Sequence, residues 1–200
     1  MSLPVFTKKT ICVYMSSSDA VAPEYFAAAE ELGALIGQGG HSLVYGGCRV
    51  GLMGAVARAV HKHGGKVCGI IPEAIHGRGL GYQDAHELHV TDTMHERKKM
   101  MEDRADAFVA LPGGFGTLEE MVQVINLKQL GYHTKPIVFI NTNGFYEPLL
   151  RFFEHTIHNK FAKTEHQNLY EVVPTPSAVF DYLRTYVPAE LPPKWFAKQG

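Results

Sequence analysis

Short apolar runs rich in β-branched residues alternate with longer amphipathic runs along nearly the whole chain, and this alternation limits the fold more than any other feature. Strand-like runs fall at 10–15, 42–45, 66–71, 87–91, 107–111, 136–141 and 171–173. Helical periodicity occupies 24–38, 52–63, 94–104, 118–130, 146–160 and 177–186. Gly39-Gly40 and Gly64-Gly65 mark the ends of the first two helices. Such alternation specifies βαβ units, whose parallel strands need helices on both faces. Right-handed crossovers then give a doubly wound, mostly parallel, Rossmann-like α/β sheet. The 200 residues suit one domain over 1–200, with a core over about 10–186 and a proline-rich tail from Pro188.

Composition excludes several classes. The formal net charge is -1, so nothing in bulk draws the chain to nucleic acid or to an anionic membrane. The apolar stretch from Ile11 to Met15 is too short for a secretory signal. The best uncharged run, 32–48, is broken by glycines, Gln38 and His41 and is no membrane span. Cys12, Cys48 and Cys68 form no C-x-x-C pair, which argues for a reducing, cytoplasmic setting and against a cysteine-based metal or redox site. Histidines pair closely at 61/63, 86/89 and 155/158, but none has an evident third ligand, and no metal is expected. A G-x-S-x-G elbow is absent, so serine-hydrolase chemistry is unsupported.

The residues that carry chemistry sit in two glycine-rich turns. Leu111-Pro112-Gly113-Gly114-Phe115-Gly116-Thr117 joins a hydrophobic strand to an amphipathic helix. The glycines free the backbone to turn and leave its N–H groups uncovered, and the helix adds the positive end of its dipole. That is an anion site, with phosphate the usual occupant. A tight turn with Thr117 as N-cap fits the same residues. No Lys-Ser or Lys-Thr follows the last glycine, so this is not a Walker loop. Gly46 and Gly47 open a second such turn, Gly46-Gly47-Cys48-Arg49-Val50-Gly51, which does not match G-x-G-x-x-G. Both turns would lie at the carboxyl ends of the strands, where such sheets bind ligands. The glycine-rich segment 73–84 reads as a long, functional loop.

The helix over 94–104 places Met94, Arg97, Lys98 and Met101 on one face. Two cations beside methionines are read either as snorkelling side chains or as ligands aimed at the neighbouring glycine loop. In the next helix the core stripe is expected at Leu118, Met121, Val122 and Ile125. Glu120 follows Thr117 by three residues and shares its face, whereas Glu119 is expected to meet solvent or the helix dipole.

Met94-x-x-Arg97-Lys98 together with Pro112-Gly113-Gly114-Phe115-Gly116-Thr117-Leu118-Glu119-Glu120 resembles the signature of the LONELY GUY (LOG) family. These are cytokinin riboside 5′-monophosphate phosphoribohydrolases, once described as possible lysine decarboxylases. The turn that ends in Gly51-Leu52-Met53-Gly54 also fits, and the resemblance runs from about Thr10 to Tyr186. It implies hydrolysis of the N-glycosidic bond of adenosine 5′-monophosphates, N6-modified ones included, to free base and ribose 5-phosphate. It implies Arg97 and Glu120 as catalytic residues, and Lys98 with Gly114–Thr117 as the holders of phosphate and ribose. Glu73 matches a family acid that contacts substrate, although the stretch from Glu73 to Arg97 is longer here. Asn126 stands where plant members often have threonine. A homodimer with sites near the subunit interface, and no metal or organic cofactor, complete the expectation. Two rivals remain: a non-catalytic nucleotide carrier on the same fold, and a pyridoxal-phosphate decarboxylase using Lys98. The second lacks an acid placed for a pyridine nitrogen.

Overall fold

Seven parallel strands form one sheet in the order β4-β3-β2-β1-β5-β6-β7. They are β1 (Thr10–Tyr14), β2 (Ser42–Tyr45), β3 (Lys66–Pro72), β4 (Glu87–Thr91), β5 (Ala107–Ala110), β6 (Ile137–Ile140) and β7 (Glu171–Val173). Among the described residues the α-helices are α1 (Pro23–Gln38), α2 (Gly51–Lys62), α3 (Glu73–His76), α4 (Met94–Arg104), α5 (Phe115–Gln129), α6 (Glu147–His158) and α7 (Pro176–Thr185). The coordinates, a computed structural model, describe residues 7–190 and 192–195. Of the expected tail, residue 191 and residues 196–200 lie outside the described ones.

Strand alternation builds the two faces. Ile11, Val13 and Met15 point to the side covered by α1, α2 and α7, against Leu32, Val56 and Val179. Cys12 and Tyr14 point to the other side, against Met101 of α4, Met121 and Val124 of α5 and the inner residues of α6. β5 is apolar and buried throughout, and β1 is buried on both faces from Ile11 to Tyr14, as a central parallel strand must be.

Helix α1 packs closely on α2 because glycines face it. A Cβ on Gly33 would stand 2.6 Å from both Ala59 Cβ and the Val56 carbonyl, and one on Gly37 would stand 2.8 Å from the Val60 carbonyl. Helix α4 is fixed at its start by a capping box: Glu96 N–H donates to Thr93 Oγ1 at 3.1 Å, and Glu96 Oε2 accepts from Thr93 N–H at 3.3 Å.

The sheet and its helices follow the sequence expectation, with differences at specific points. The segment 73–84 begins with the short helix α3 and is then tied down. Arg49 N–H donates to Leu80 O and Tyr82 N–H to Gly47 O, both at 2.9 Å. Arg49 Nε also reaches Gly79 O at 3.0 Å, so the loop is stitched to the second glycine turn. Two 3-10 turns, Thr142–Gly144 and Thr164–Leu169, were not foreseen. Helix α5 starts at Phe115, three residues before the expected 118.

Candidate active site

The strand order reverses between β1 and β5, so the loops that leave these strands diverge and open a crevice at their carboxyl ends. There Ser16 N–H meets Pro112 O at 3.3 Å. The crevice encloses about 390 Å³, a size suited to a small organic ligand. Gly114, Phe115, Gly116 and Thr117 form one wall, Ser16–Ser18 another, and Arg97 and Glu120 lie in it. A larger hollow of about 500 Å³ near Tyr170, Tyr182 and Tyr186 lies away from both glycine turns.

The first glycine turn is shaped as an anion cradle. Gly114 occupies the N-cap position of α5, and the first bond from the helix to it is Leu118 N–H to Gly114 O at 3.0 Å. The amides of Phe115, Gly116 and Thr117 precede that bond and lie at the positive end of the helix dipole. Thr117 is therefore inside the first turn and does not cap the helix, contrary to expectation. It is buried at 4% exposure, and a Cβ on Gly113 would stand 2.1 Å from its Oγ1. Gly113 must be glycine to let the hydroxyl lie there.

Arg97 and Glu120 form a buried ion pair, each 5% exposed, with Nη1 2.6 Å from Oε1. Arg97 Nε also donates to Ile70 O at 3.1 Å. Its second terminal nitrogen lies against Gly46, where a Cβ would stand only 2.2 Å away. The guanidinium is thus fixed from three sides: by β3, by the glycine turn and by Glu120. Burial pushes the Glu120 carboxyl above its ordinary value of 4.5, and the Arg97 charge and hydrogen bond pull it back down. The snorkelling alternative fails for Arg97, which points inward.

The remaining expected residues are dispersed. Lys98 does not line the crevice: its Nζ pairs with Glu119 and donates to Gln123 Oε1 at 2.6 Å. Glu119 is half exposed and stands at the rim. Glu73 has a carboxylate 64% exposed, 3.7 Å from His76 Nδ1, and its neighbour Ile75 reaches the crevice instead. Gly47 is buried behind the wall with φ 75°, its Cβ position 2.9 Å from Ile71 Cβ. Asn126 lies outside the crevice, in a groove between α5 and α6.

Sequence reasoning missed Ser16–Ser18, Cys48, Met53 and Met94 as lining residues. The serines carried a usable signal: they directly follow β1, the strand beside the switch point. Asp19 then accepts from Gly51 N–H at 2.8 Å and locks this loop to the second glycine turn. The stripe expected on α5 is also corrected. Val122 is 46% exposed, and Val124 takes the buried position with Thr117, Glu120, Met121 and Lys128.

Residues 53–183 match the family model described as "Possible lysine decarboxylase". The rice cytokinin riboside 5'-monophosphate phosphoribohydrolase LOG (Oryza sativa subsp. japonica) is 41% identical over 180 residues, which cover 90% of this chain and 74% of that protein. The Arabidopsis thaliana relative LOG2, named for the same activity, is 39% identical over 90% of this chain and 84% of its own. Among solved structures, the molybdenum cofactor binding protein of Rippkaea orientalis aligns with a TM-score of 0.69 at 22% identity, over 90% of this chain and 97% of that one. A molybdenum cofactor carrier protein of Chlamydomonas reinhardtii aligns at 0.67 and 23%, over 88% and 98%. The structural likenesses establish the shared fold.

Proposed function

The chain belongs to the possible lysine decarboxylase family, to which the LOG phosphoribohydrolases belong, and from that premise we propose that it hydrolyses the N-glycosidic bond of adenosine 5′-monophosphates, N6-modified ones included. The observation that carries the reading is the buried Arg97–Glu120 pair beside an anion cradle. A carrier needs the cradle but has no use for a carboxyl buried against an arginine inside it.

The chemistry runs from these residues. The 5′-phosphate seats on the Phe115, Gly116 and Thr117 amides, and Ser16–Ser18 face the sugar from the opposite wall. As the bond from the ribose C1′ to the base breaks, positive charge builds on the ring. The Glu120 carboxylate stabilises that charge and takes a proton from the attacking water, whose hydroxyl adds to C1′. The proton finally resides on the released base. Arg97 orients Glu120, and its charge and hydrogen bond oppose the upward push of burial on the carboxyl. Lys98 acts indirectly, by holding Glu119 at the rim.

Each charge-assisted hydrogen bond to the phosphate is worth about 1.5–3 kcal/mol. Monophosphates are therefore expected to be far better substrates than the matching nucleosides. Comparable kcat/KM for AMP and adenosine would contradict this reading.

A homodimer is part of the proposal. Val122 is exposed in the groove between α5 and α6, Phe152 of α6 and Phe161 beyond its end are exposed as well, and a second copy would cover them. Light scattering at micromolar concentration is expected to give twice the chain mass; the monomer mass would refute it. No helix among the described residues is long and apolar enough to cross a membrane. The three free, buried cysteines support a cytoplasmic location, which fractionation tests.

A further inference from the structure

At the β3–β4 edge of the sheet, the parallel register sets Cys68 beside Glu87, and His89 follows two residues along β4 on the same face. The thiol sulfur, a carboxylate oxygen and an imidazole nitrogen converge, all within 4.8 Å of one another. His89 Nε2 is 2.9 Å from Glu87 Oε2, and Cys68 Sγ is 3.9 Å from that oxygen. Tetrahedral zinc, with bonds of about 2.3 Å to sulfur and 2.0 Å to nitrogen or oxygen, separates its ligands by about 3.3–3.5 Å. The trio needs only small side-chain adjustments to reach that spacing.

Arg104 reaches into this cluster. Its Nη1 lies 2.7 Å from Glu87 Oε2 and 3.3 Å from Cys68 Sγ, and its Nη2 lies 2.9 Å from His89 Nε2. The contacts conflict at His89. If Nε2 carries a proton it serves Glu87 and confronts the guanidinium N–H; if it is bare it serves Arg104 and confronts the carboxylate. A cation that takes the Nε2 lone pair, the carboxylate and the thiolate satisfies all three at once.

We propose that Cys68, Glu87 and His89 form a site for a divalent cation of the zinc class, with Arg104 as the charge that holds the place and swings out when the ion binds. Binding converts the Cys68 thiol to a metal thiolate and releases its proton to solvent. The ion joins the edge strand β4 to β3, the strand whose Ile70 carbonyl anchors Arg97. This site is independent of the glycosidic chemistry.

The test is titration of the untagged, chelator-stripped full chain with Co²⁺. One equivalent is expected to produce a thiolate-to-cobalt charge-transfer band. Cys68→Ser should abolish the band, and His89→Ala should weaken binding by at least about tenfold. Arg104→Met should tighten binding, because the competing cation is gone. Zinc should raise the melting temperature of the wild type but not of Cys68→Ser. Absence of the band in the wild type would overturn the proposal. So would a band that survives Cys68→Ser, which would place the ion at another thiol, or unchanged affinity in Arg104→Met.

Discussion

At the scale of single residues, the adjacent acids Glu119 and Glu120 have opposite surroundings. Glu120 is buried with Arg97, while Glu119 is half exposed with Lys98. Glu120→Gln keeps the shape and removes the charge, and the loss of one such electrostatic contact costs about 10²–10³ in kcat. It also leaves the Arg97 guanidinium buried without its counter-charge, so stability falls as well. AMP affinity separates the two effects, because the glycine cradle is untouched and binding should survive. Glu119→Gln should cost much less. A dead Glu119→Gln beside an active Glu120→Gln would overturn the assignment. The pH profile adds a sign. Burial raises the Glu120 pKa above 4.5, and the ionised form does the work. Wild-type kcat/KM therefore falls as pH drops through that raised value, and the residual activity of Glu120→Gln lacks this acid limb. The placement of Glu120 was legible from its spacing to Thr117. That of Lys98 was not: it follows Arg97 in sequence but turns toward the exposed flank of the next helix, a partner that helical phase alone does not name.

At the scale of elements, helix α5 shows where a hydrophobic count goes astray. Its inward stripe is Thr117, Glu120, Met121, Val124 and Lys128, and three of those five are polar. An apolar-only reading shifts the stripe to Val122, which the structure exposes. Polar residues face inward here because the helix borders a crevice at one end and Lys128 Nζ donates to Leu169 O at 2.9 Å near the other. The α1–α2 contact was illegible for a different reason. Glycine is a poor helix former, and nothing in the local sequence says that Gly33 and Gly37 let the two helices approach closely. Gly33→Ala places a methyl against backbone and Ala59, and such overpacking costs about 1–3 kcal/mol. Urea unfolding should show a lower midpoint with an unchanged m-value. A midpoint equal to the wild type would mean that α1 shifts freely on α2.

At the scale of the whole molecule, the order of elements assembles the site. Helix α4 enters β5 and α5 leaves it on the same face of the sheet, so Arg97 and Glu120 meet although 23 residues separate them. The alternation of strands and helices made the parallel sheet legible. The pairing of β1 with β5, which opens the crevice, depends on crossovers that local periodicity does not encode. For the same reason the Cys68–Glu87–His89 trio emerges only once the strands are in register. The relatives named as phosphoribohydrolases and the neighbours named as carriers share this architecture, so the decisive property is turnover. The most direct measurement incubates the purified chain with a large molar excess of N6-isopentenyl-AMP or AMP and quantifies products. Free base and ribose 5-phosphate should appear in equal amounts, many equivalents per protein chain. Tight retention of the intact monophosphate with no base released would contradict the hydrolase and leave a carrier.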